Sequence, residues 1–284
     1  MAILLGLAPA IAFGVSDYLA GVLSRRLHFT LVGLISQVSA TALAWASLPW
    51  TGGPRPATAA LAWGALSGIG GGVGSLALYR GLGRGKMSVV GPLSSVGAAA
   101  LPALAGIALG DRPSPLAIGG VLLALPAIWL VASSSGRPGG ERAAGPSGVG
   151  DGLLAGAGFG LLFIGLARAG DGAGLWPVAT GQLTALVLLT VVVGVRLATT
   201  RPALPGGPRA LLPPLLVGCL SVTATLLYFL ATHSGLLTIV AVLASLYPGI
   251  TVLLAWLLLG ERITRVQRAG LALCAVAVVA IAAA

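Results

Sequence analysis

Charged side chains are scarce in this sequence. They make up 8% of its 284 residues, and six of them are acidic, whereas soluble domains carry roughly a quarter charged residues. With so few charges the chain cannot cover a surface that faces water, and its mean hydropathy is +1.03. The composition therefore excludes an ordinary soluble domain and predicts a protein whose outer surface faces hydrocarbon.

Cysteine and histidine are almost absent. The two cysteines, Cys219 and Cys274, lie inside apolar runs, and the two histidines are far apart in sequence, so neither a disulfide framework nor a metal site is indicated. No glycine-rich nucleotide-binding loop of the Walker type occurs. We therefore expect no cofactor, no metal and no catalytic residues.

Short alternating strands, which a membrane barrel needs, are also missing. Long apolar runs indicate helices instead, because in lipid a helix satisfies its own backbone groups. The first run, Ala2 to Leu23, lacks a basic region and a cleavage site, which predicts a retained helix and not a signal peptide. Ten spans can be placed: 2–23, 31–50, 59–79, 87–109, 115–132, 151–168, 176–198, 210–231, 236–259 and 266–284.

A repeat relates the two halves of the chain. Residues 79–134 align with 229–284 without a gap, so that Gly110-Asp111-Arg112 matches Gly260-Glu261-Arg262. We predict a first five-helix repeat at 1–132, a flexible linker rich in Gly, Ser and Pro at 133–150, and a second repeat at 151–284. Because each half has an odd number of helices, the two repeats are inverted in the membrane.

Lysine and arginine are placed asymmetrically between the spans. Thirteen follow odd-numbered spans and three follow even-numbered ones, which predicts that the odd-numbered loops are cytoplasmic and both termini are outside. The basic residues occur a few at a time between apolar runs and form no stripe. The net charge of +10 therefore reflects topology in a cell (plasma or inner) membrane and not nucleic-acid binding.

Several motifs resemble one family. Met87-Ser88-Val89-Val90-Gly91-Pro92, the Gly-Asp-Arg and Gly-Glu-Arg pair, Leu246-Tyr247-Pro248 and Gly174-Leu175-Trp176-Pro177 are similar to those of the EamA family of the drug/metabolite transporter superfamily. The resemblance implies ten helices in two inverted repeats, a central cavity and transport of a small metabolite. It also implies cytoplasmic termini, opposite to the charge pattern.

Two glycine ladders recur at four-residue spacing, an arrangement that lets helix backbones approach closely. The ladders have two interpretations: static packing of the helices, or smooth contacts that let two halves rock. Both interpretations place these glycines at helix interfaces. The ladders consist of Gly64, Gly68 and Gly72 in the third span and Gly152, Gly156 and Gly160 in the sixth.

Asp17 is the only acid that we place inside a predicted span. A carboxylate at bilayer depth costs about 2.5–3.5 kcal/mol on insertion scales, so it is expected to face a cavity or a partner. One hypothesis pairs Asp17 with Arg80 at a cytoplasmic gate, and another makes Asp17 the residue that couples a proton. The alternative is an acid near the interface that simply reaches water.

Further polar residues inside the spans are candidates for the cavity wall. Ser95 and Ser245 occupy equivalent repeat positions, and Pro102 and Pro248 leave the carbonyls of Ala98 and Ala244 without a helical donor, open to a ligand or a bend. Serines that bond to their own helix are the alternative. The remaining candidates are Gln37, Gln182, Tyr228 and Tyr247.

These features together predict a secondary transporter, gradient-driven or facilitative, that moves a small molecule by alternating access. The alternatives are a structural membrane subunit, a channel and a membrane-embedded enzyme. An enzyme would need a converging set of catalytic groups, and a channel would need rings of charge or a carbonyl filter. The expected partners are a small solute and the lipid bilayer, with a coupling proton as a further candidate, and the sequence leaves the oligomeric state open.

Overall fold

The computed structural model describes residues 2–24, 27, 29–50, 56–83, 87–133, 148–170, 172–199, 211–260 and 263–283. Within these ranges the chain forms eleven α-helices and one short 3-10 helix, and no strand. The predicted linker at 133–150 lies almost wholly outside the described residues.

The helices follow the chain in simple order. They are α1 (Ala2–Ser24), α2 (Phe29–Ser47), α3 (Thr58–Gly83), α4 (Met87–Ala108), α5 (Pro115–Ser133), α6 (Val149–Ala167), α7 (Trp176–Thr199), α8 (Leu212–Thr232), α9 (Leu237–Ala244), α10 (Tyr247–Leu259) and α11 (Arg265–Ala282). The 3-10 helix, Leu48–Trp50, extends α2.

All ten predicted segments are helical, and the ninth, which is one candidate membrane span at Leu237–Leu258, contains a break. It is divided into α9 and α10 by a turn at Ser245 and Leu246. Pro248 provides the reason, because it has no N–H for the carbonyl of Ala244 and its ring collides with that carbonyl. In contrast, α4 runs through Pro102 without interruption.

The outer faces of the helices are apolar. Large side chains such as Leu104 of α4, Val195 of α7, Leu257 of α10 and Val279 of α11 are more than 60% exposed. A soluble protein does not expose so much apolar surface. Seven segments are long and apolar enough to cross a bilayer, and Leu93–Ala108 and Pro115–Val131 are shorter apolar helices. The protein is an all-helical, multi-pass membrane protein.

The helices of the first half pack mainly against helices of the second half. In chain order, α1 packs on α8, α9 and α10, and α6 packs on α3 and α4. Two further pairs, α2 with α7 and α5 with α11, join the first half of the chain to the second. The core therefore lies between the halves, where Ala and Gly dominate and backbones approach closely.

Candidate functional site

The inner face of α1 is closely packed over its first half. A Cβ on Gly6 would meet the side chain of Leu243, and one on Gly14 would meet Ile250 and the carbonyl of Tyr247. Ile11, on a flank of the helix, is exposed. The tight side of α1 thus faces α9 and α10, and α8 covers another part of its surface.

This packing ends at Asp17. The side chain lies one turn beyond Phe13 and on the same inner face, because residues four apart are neighbours on a helix, yet it is exposed. One turn further on, a Cβ on Gly21 would meet no atom within 4 Å. The inner face of α1 therefore changes between Gly14 and Asp17 from a sealed contact to an open space.

Aromatic side chains from four helices converge beside Asp17. The ring of Phe13 lies 6.1 Å from that of Phe163 and 6.2 Å from that of Tyr247, measured between centroids. Phe163 also packs on Tyr228 at 4.4 Å, and the Tyr228 hydroxyl donates to the carbonyl of Phe163 at 3.3 Å. Phe13 and Tyr247 are partly exposed, whereas Phe163 and Tyr228 are buried behind them.

Ser95 and Tyr247 supply polar groups to the same region. Their hydroxyl oxygens are 3.4 Å apart, and the Tyr247 ring packs on Phe13, which lies one helical turn before Asp17 on the same face of α1. The structure therefore brings together three of the predicted cavity residues, Asp17, Ser95 and Tyr247. We name this group, with Phe13, the Asp17 cluster.

Ser245, the equivalent of Ser95, has a different environment. It stands at the turn between α9 and α10, it is fully buried, and its hydroxyl has no hydrogen-bond partner among the residues that the structure describes. An unmet buried hydroxyl is unfavourable.

Gln37 and Gln182 lie at another contact between the two halves. The Gln37 amide nitrogen donates to the Gln182 side-chain oxygen at 2.6 Å and to the Gln182 backbone carbonyl at 3.1 Å. Thr41 also donates to that carbonyl at 3.1 Å. In this structure the two glutamines therefore bind each other, and they tie α2 to α7.

The predicted pair between Asp17 and Arg80 was wrong. Arg80, at the end of α3, forms an ion pair with Asp151 at the start of α6, with its Nε donating to Oδ1 at 2.8 Å. Among the described residues, Asp17 has no ion-pair or hydrogen-bond partner. The pair was misassigned because Asp151, the first residue of the sixth predicted span, was not counted as an intramembrane acid.

Asp111 also connects the two halves. Its Oδ2 accepts from the Thr238 backbone N–H at 2.8 Å and from the Thr238 hydroxyl at 2.9 Å. The acid thus caps the N-terminus of α9, where the helix dipole favours negative charge. The Gly-Asp-Arg motif contributes a cap to a helix of the other half, and not to the helix that follows it.

The predicted packing glycines all lie at contacts between helices. In α3, Gly64, Gly68 and Gly72 face Pro177, Gly181 and Leu188 of α7. In α6, Gly152, Gly156 and Gly160 face Leu93, Gly97 and Leu101 of α4. A β-carbon at any of the six would come within 3.0 Å of a neighbouring atom.

A shallow depression lies at the end of α6, away from the Asp17 cluster. It is lined by Trp63 and Arg168, among others, and the Arg168 guanidinium stands 5.8 Å from the centre of the Trp63 ring. In the described part of the chain, no three His, Cys, Asp or Glu side chains come together as a metal site would require.

Comparison with known proteins agrees with this architecture. Residues 147–283 match the model of the EamA-like transporter family. A search of curated proteins finds no match. A solved structure titled "Crystal structure of protein" superposes with a TM-score of 0.73 at 18% sequence identity, covering 98% of this chain and 95% of that one, which shows a shared fold. Residues 147–283 are therefore an EamA-like transporter domain of the drug/metabolite transporter superfamily.

Proposed function

We propose that the protein is a secondary transporter in the cell membrane, which moves a small metabolite by alternating access through a path between its two halves. The single observation that carries this proposal is the Asp17 cluster. An exposed carboxylate on the inner face of a membrane helix requires a water-accessible space inside the protein.

Paired contacts support the two inverted repeats on which alternating access depends. Gly120 of α5 packs on Ile281 of α11, and Gly270 of α11 packs on Val131 of α5. Adding 150 to position 120 gives position 270, and subtracting 150 from position 281 gives position 131, so each contact is the repeat equivalent of the other. Such reciprocal contacts are what a two-fold axis through this interface produces.

The same exchange holds elsewhere. The contact of Gly6 with Leu243 has its counterpart in Gly152 with Leu93, at offsets of 146 and 150 positions. Gln37 and Gln182 are 145 positions apart and bind each other, as two equivalent residues do on an axis. With an odd number of spans in each half, this axis lies in the membrane plane.

The glycine ladders provide surfaces along which the halves can move. Glycine removes side chains from the contact, so neighbouring helices can rock without unlocking interdigitated groups. The Arg80–Asp151 pair and the Asp111 cap lie at helix ends and connect opposite halves. In a cycle of alternating access, contacts of this kind can hold one end of the path closed.

Transport can be tested by solute exchange in liposomes. Purified protein is reconstituted into vesicles loaded with a metabolite mixture, and the exchange of labelled solutes is compared with that of empty vesicles. We expect saturable exchange of at least one solute, retained in Gly194→Ala, whose Cβ would meet no atom within 4 Å. A folded protein that exchanges no solute would favour the structural subunit.

A proton is our proposed coupling ion, because Asp17 is a titratable group in the path. In Asp17→Asn we expect exchange to persist at saturating solute concentration, while accumulation driven by a pH gradient is lost. Accumulation that is equal in Asp17→Asn and wild type would remove the proton from the proposal and leave facilitated transport.

A further inference from the structure

Asp17 differs from the other acids that the structure describes. Asp151 is neutralised by Arg80, and Asp111 is satisfied by two donors of Thr238. Within the described ranges Asp17 has neither a cation nor a hydrogen-bond donor. A carboxylate in a protein interior is strongly favoured by an opposite charge, so the open space beside Asp17 is suited to a positively charged occupant.

The rings beside Asp17 point to the same class of occupant. Phe and Tyr number nine in the whole chain, and four of them form the connected group of Phe13, Phe163, Tyr228 and Tyr247. Phe13 and Tyr247 expose part of their surface beside the carboxylate. Aromatic faces attract cations and pack well against apolar groups.

Two of the described cations have other partners. Arg80 is bound to Asp151, and Arg168 lies over Trp63 at the end of α6. A solute with a negative charge beside Asp17 would be repelled. A bare divalent cation fits poorly as well, because Mg²⁺ and Ca²⁺ take six or more oxygen ligands and the cluster presents one carboxylate among rings.

We infer that the solute is an organic ammonium ion with an apolar body, whose charged nitrogen pairs with the Asp17 carboxylate while its body packs against Phe13 and Tyr247. Ser95 and the Tyr247 hydroxyl accept hydrogen bonds from the remaining N–H groups. This inference rests on the proposed function, since it names the solute class of the same path.

Equilibrium binding to the detergent-purified protein tests the inference without requiring transport. The probes are methylammonium, cyclohexylmethylammonium and 2-phenylethylammonium, with 2-phenylethanol and 3-phenylpropionate as neutral and anionic analogues. We expect the larger ammonium ions to bind and the two analogues to bind weakly or not at all. Because a hydrogen bond to a charged group contributes about 1.5–3 kcal/mol, Asp17→Asn should weaken ammonium binding about tenfold or more.

The two halves provide a matched pair of aromatic variants. Phe13→Leu should weaken 2-phenylethylammonium binding, whereas Phe159→Leu, at the equivalent position of α6 beside Gly74, should leave it unchanged. Melting temperatures of all variants establish that they are folded. If no ammonium ion binds more tightly to wild type than to Asp17→Asn, the inference is overturned. Exchange of a neutral or anionic solute in liposomes would then leave the transport proposal standing.

Discussion

Positions 17 and 163 are equivalent in the two halves, at the offset of 146 that also relates Phe13-Gly14 to Phe159-Gly160. In the first half the position holds Asp17, which is exposed on the inner face of α1. In the second half it holds Phe163, which is buried between Phe13 and Tyr228. The backbone contacts around the two positions correspond. The side chain at position 17 is exposed, whereas the side chain at position 163 is packed among other rings.

The halves also differ at the equivalent serines, Ser95 and Ser245. Ser95 lies in the continuous helix α4 and reaches Tyr247, whereas Ser245 lies at the break between α9 and α10 and reaches no partner. The glycine contacts between the halves are the same on both sides, whereas the residues at positions 17 and 163, and the surroundings of Ser95 and Ser245, differ. These differences lie in the part of the interior where we place the solute path.

The largest expected effect concerns what the halves share. Gly68 faces the carbonyl of Gly181, and its equivalent Gly218 faces the carbonyl of Ser36, so a large side chain at either position separates two backbones. We expect Gly68→Leu and Gly218→Leu each to destabilise the protein by at least about 3 kcal/mol and to abolish transport. The measurement is the yield of monodisperse protein together with solute exchange.

Gly119→Leu and Gly194→Leu are the controls, because a Cβ at either position would meet no atom within 4 Å. Both should be produced at wild-type levels. If the leucines at Gly68 and Gly218 are tolerated equally well, the close helix contacts that define the shared framework are not present in the membrane.

The second prediction contrasts a paired acid with the unpaired one. Asp151 is nearly buried and Arg80 is 44% exposed, so solvent weakens their attraction, and Asp151→Asn should lower stability by about 1 kcal/mol. Asp17→Asn should not lower stability, since it removes no ion pair and no hydrogen bond. Thermal unfolding in detergent measures both variants, and a larger loss in Asp17→Asn would show that Asp17 has a structural partner.

The third prediction contrasts the two serines. Ser245→Ala removes a buried hydroxyl without a partner and should stabilise the protein, by up to about 1 kcal/mol, whereas Ser95→Ala removes the contact with Tyr247 and should be neutral or slightly destabilising. The same thermal unfolding assay distinguishes them. Equal losses for the two variants would mean that Ser245 bonds to its surroundings, and the difference between the halves would disappear at this position.

The smallest effect concerns orientation, which leaves the contacts between the halves unchanged. The basic residues predict that a reporter fused after Ala284 lies outside the cytoplasm. A cytoplasmic reporter at that end would agree instead with the topology that the family resemblance implies. Neither result changes the number of helices. The location of the reporter decides which side of the membrane the open space beside Gly21 faces.

Much of the fold followed from hydropathy and glycine spacing. The helix bounds agree with the predicted spans to within a few residues, because apolar length reports the crossing of a bilayer. The partner of Arg80 could not be predicted in this way, since an ion pair depends on which helix ends meet. Gln37 and Gln182 were recognised as polar groups within spans, but their mutual hydrogen bond depends on the packing of α2 on α7, which hydropathy does not report.

The break in the ninth segment illustrates the same limit. Pro102 and Pro248 predict the same loss of a helical hydrogen bond, and only Pro248 coincides with a divided helix. Both prolines remove the same helical hydrogen bond, so that loss alone does not decide whether the helix is divided.

Thiol accessibility at positions 17 and 163 tests most directly whether a solute path opens at one of two equivalent positions. Single cysteines are introduced as Asp17→Cys and Phe163→Cys in a background with Cys219→Ala and Cys274→Ala, and are treated in intact membranes with an impermeant methanethiosulfonate reagent. We predict rapid modification at position 17, loss of exchange on modification, and little reaction at position 163. Equal and slow modification at both positions would contradict the path.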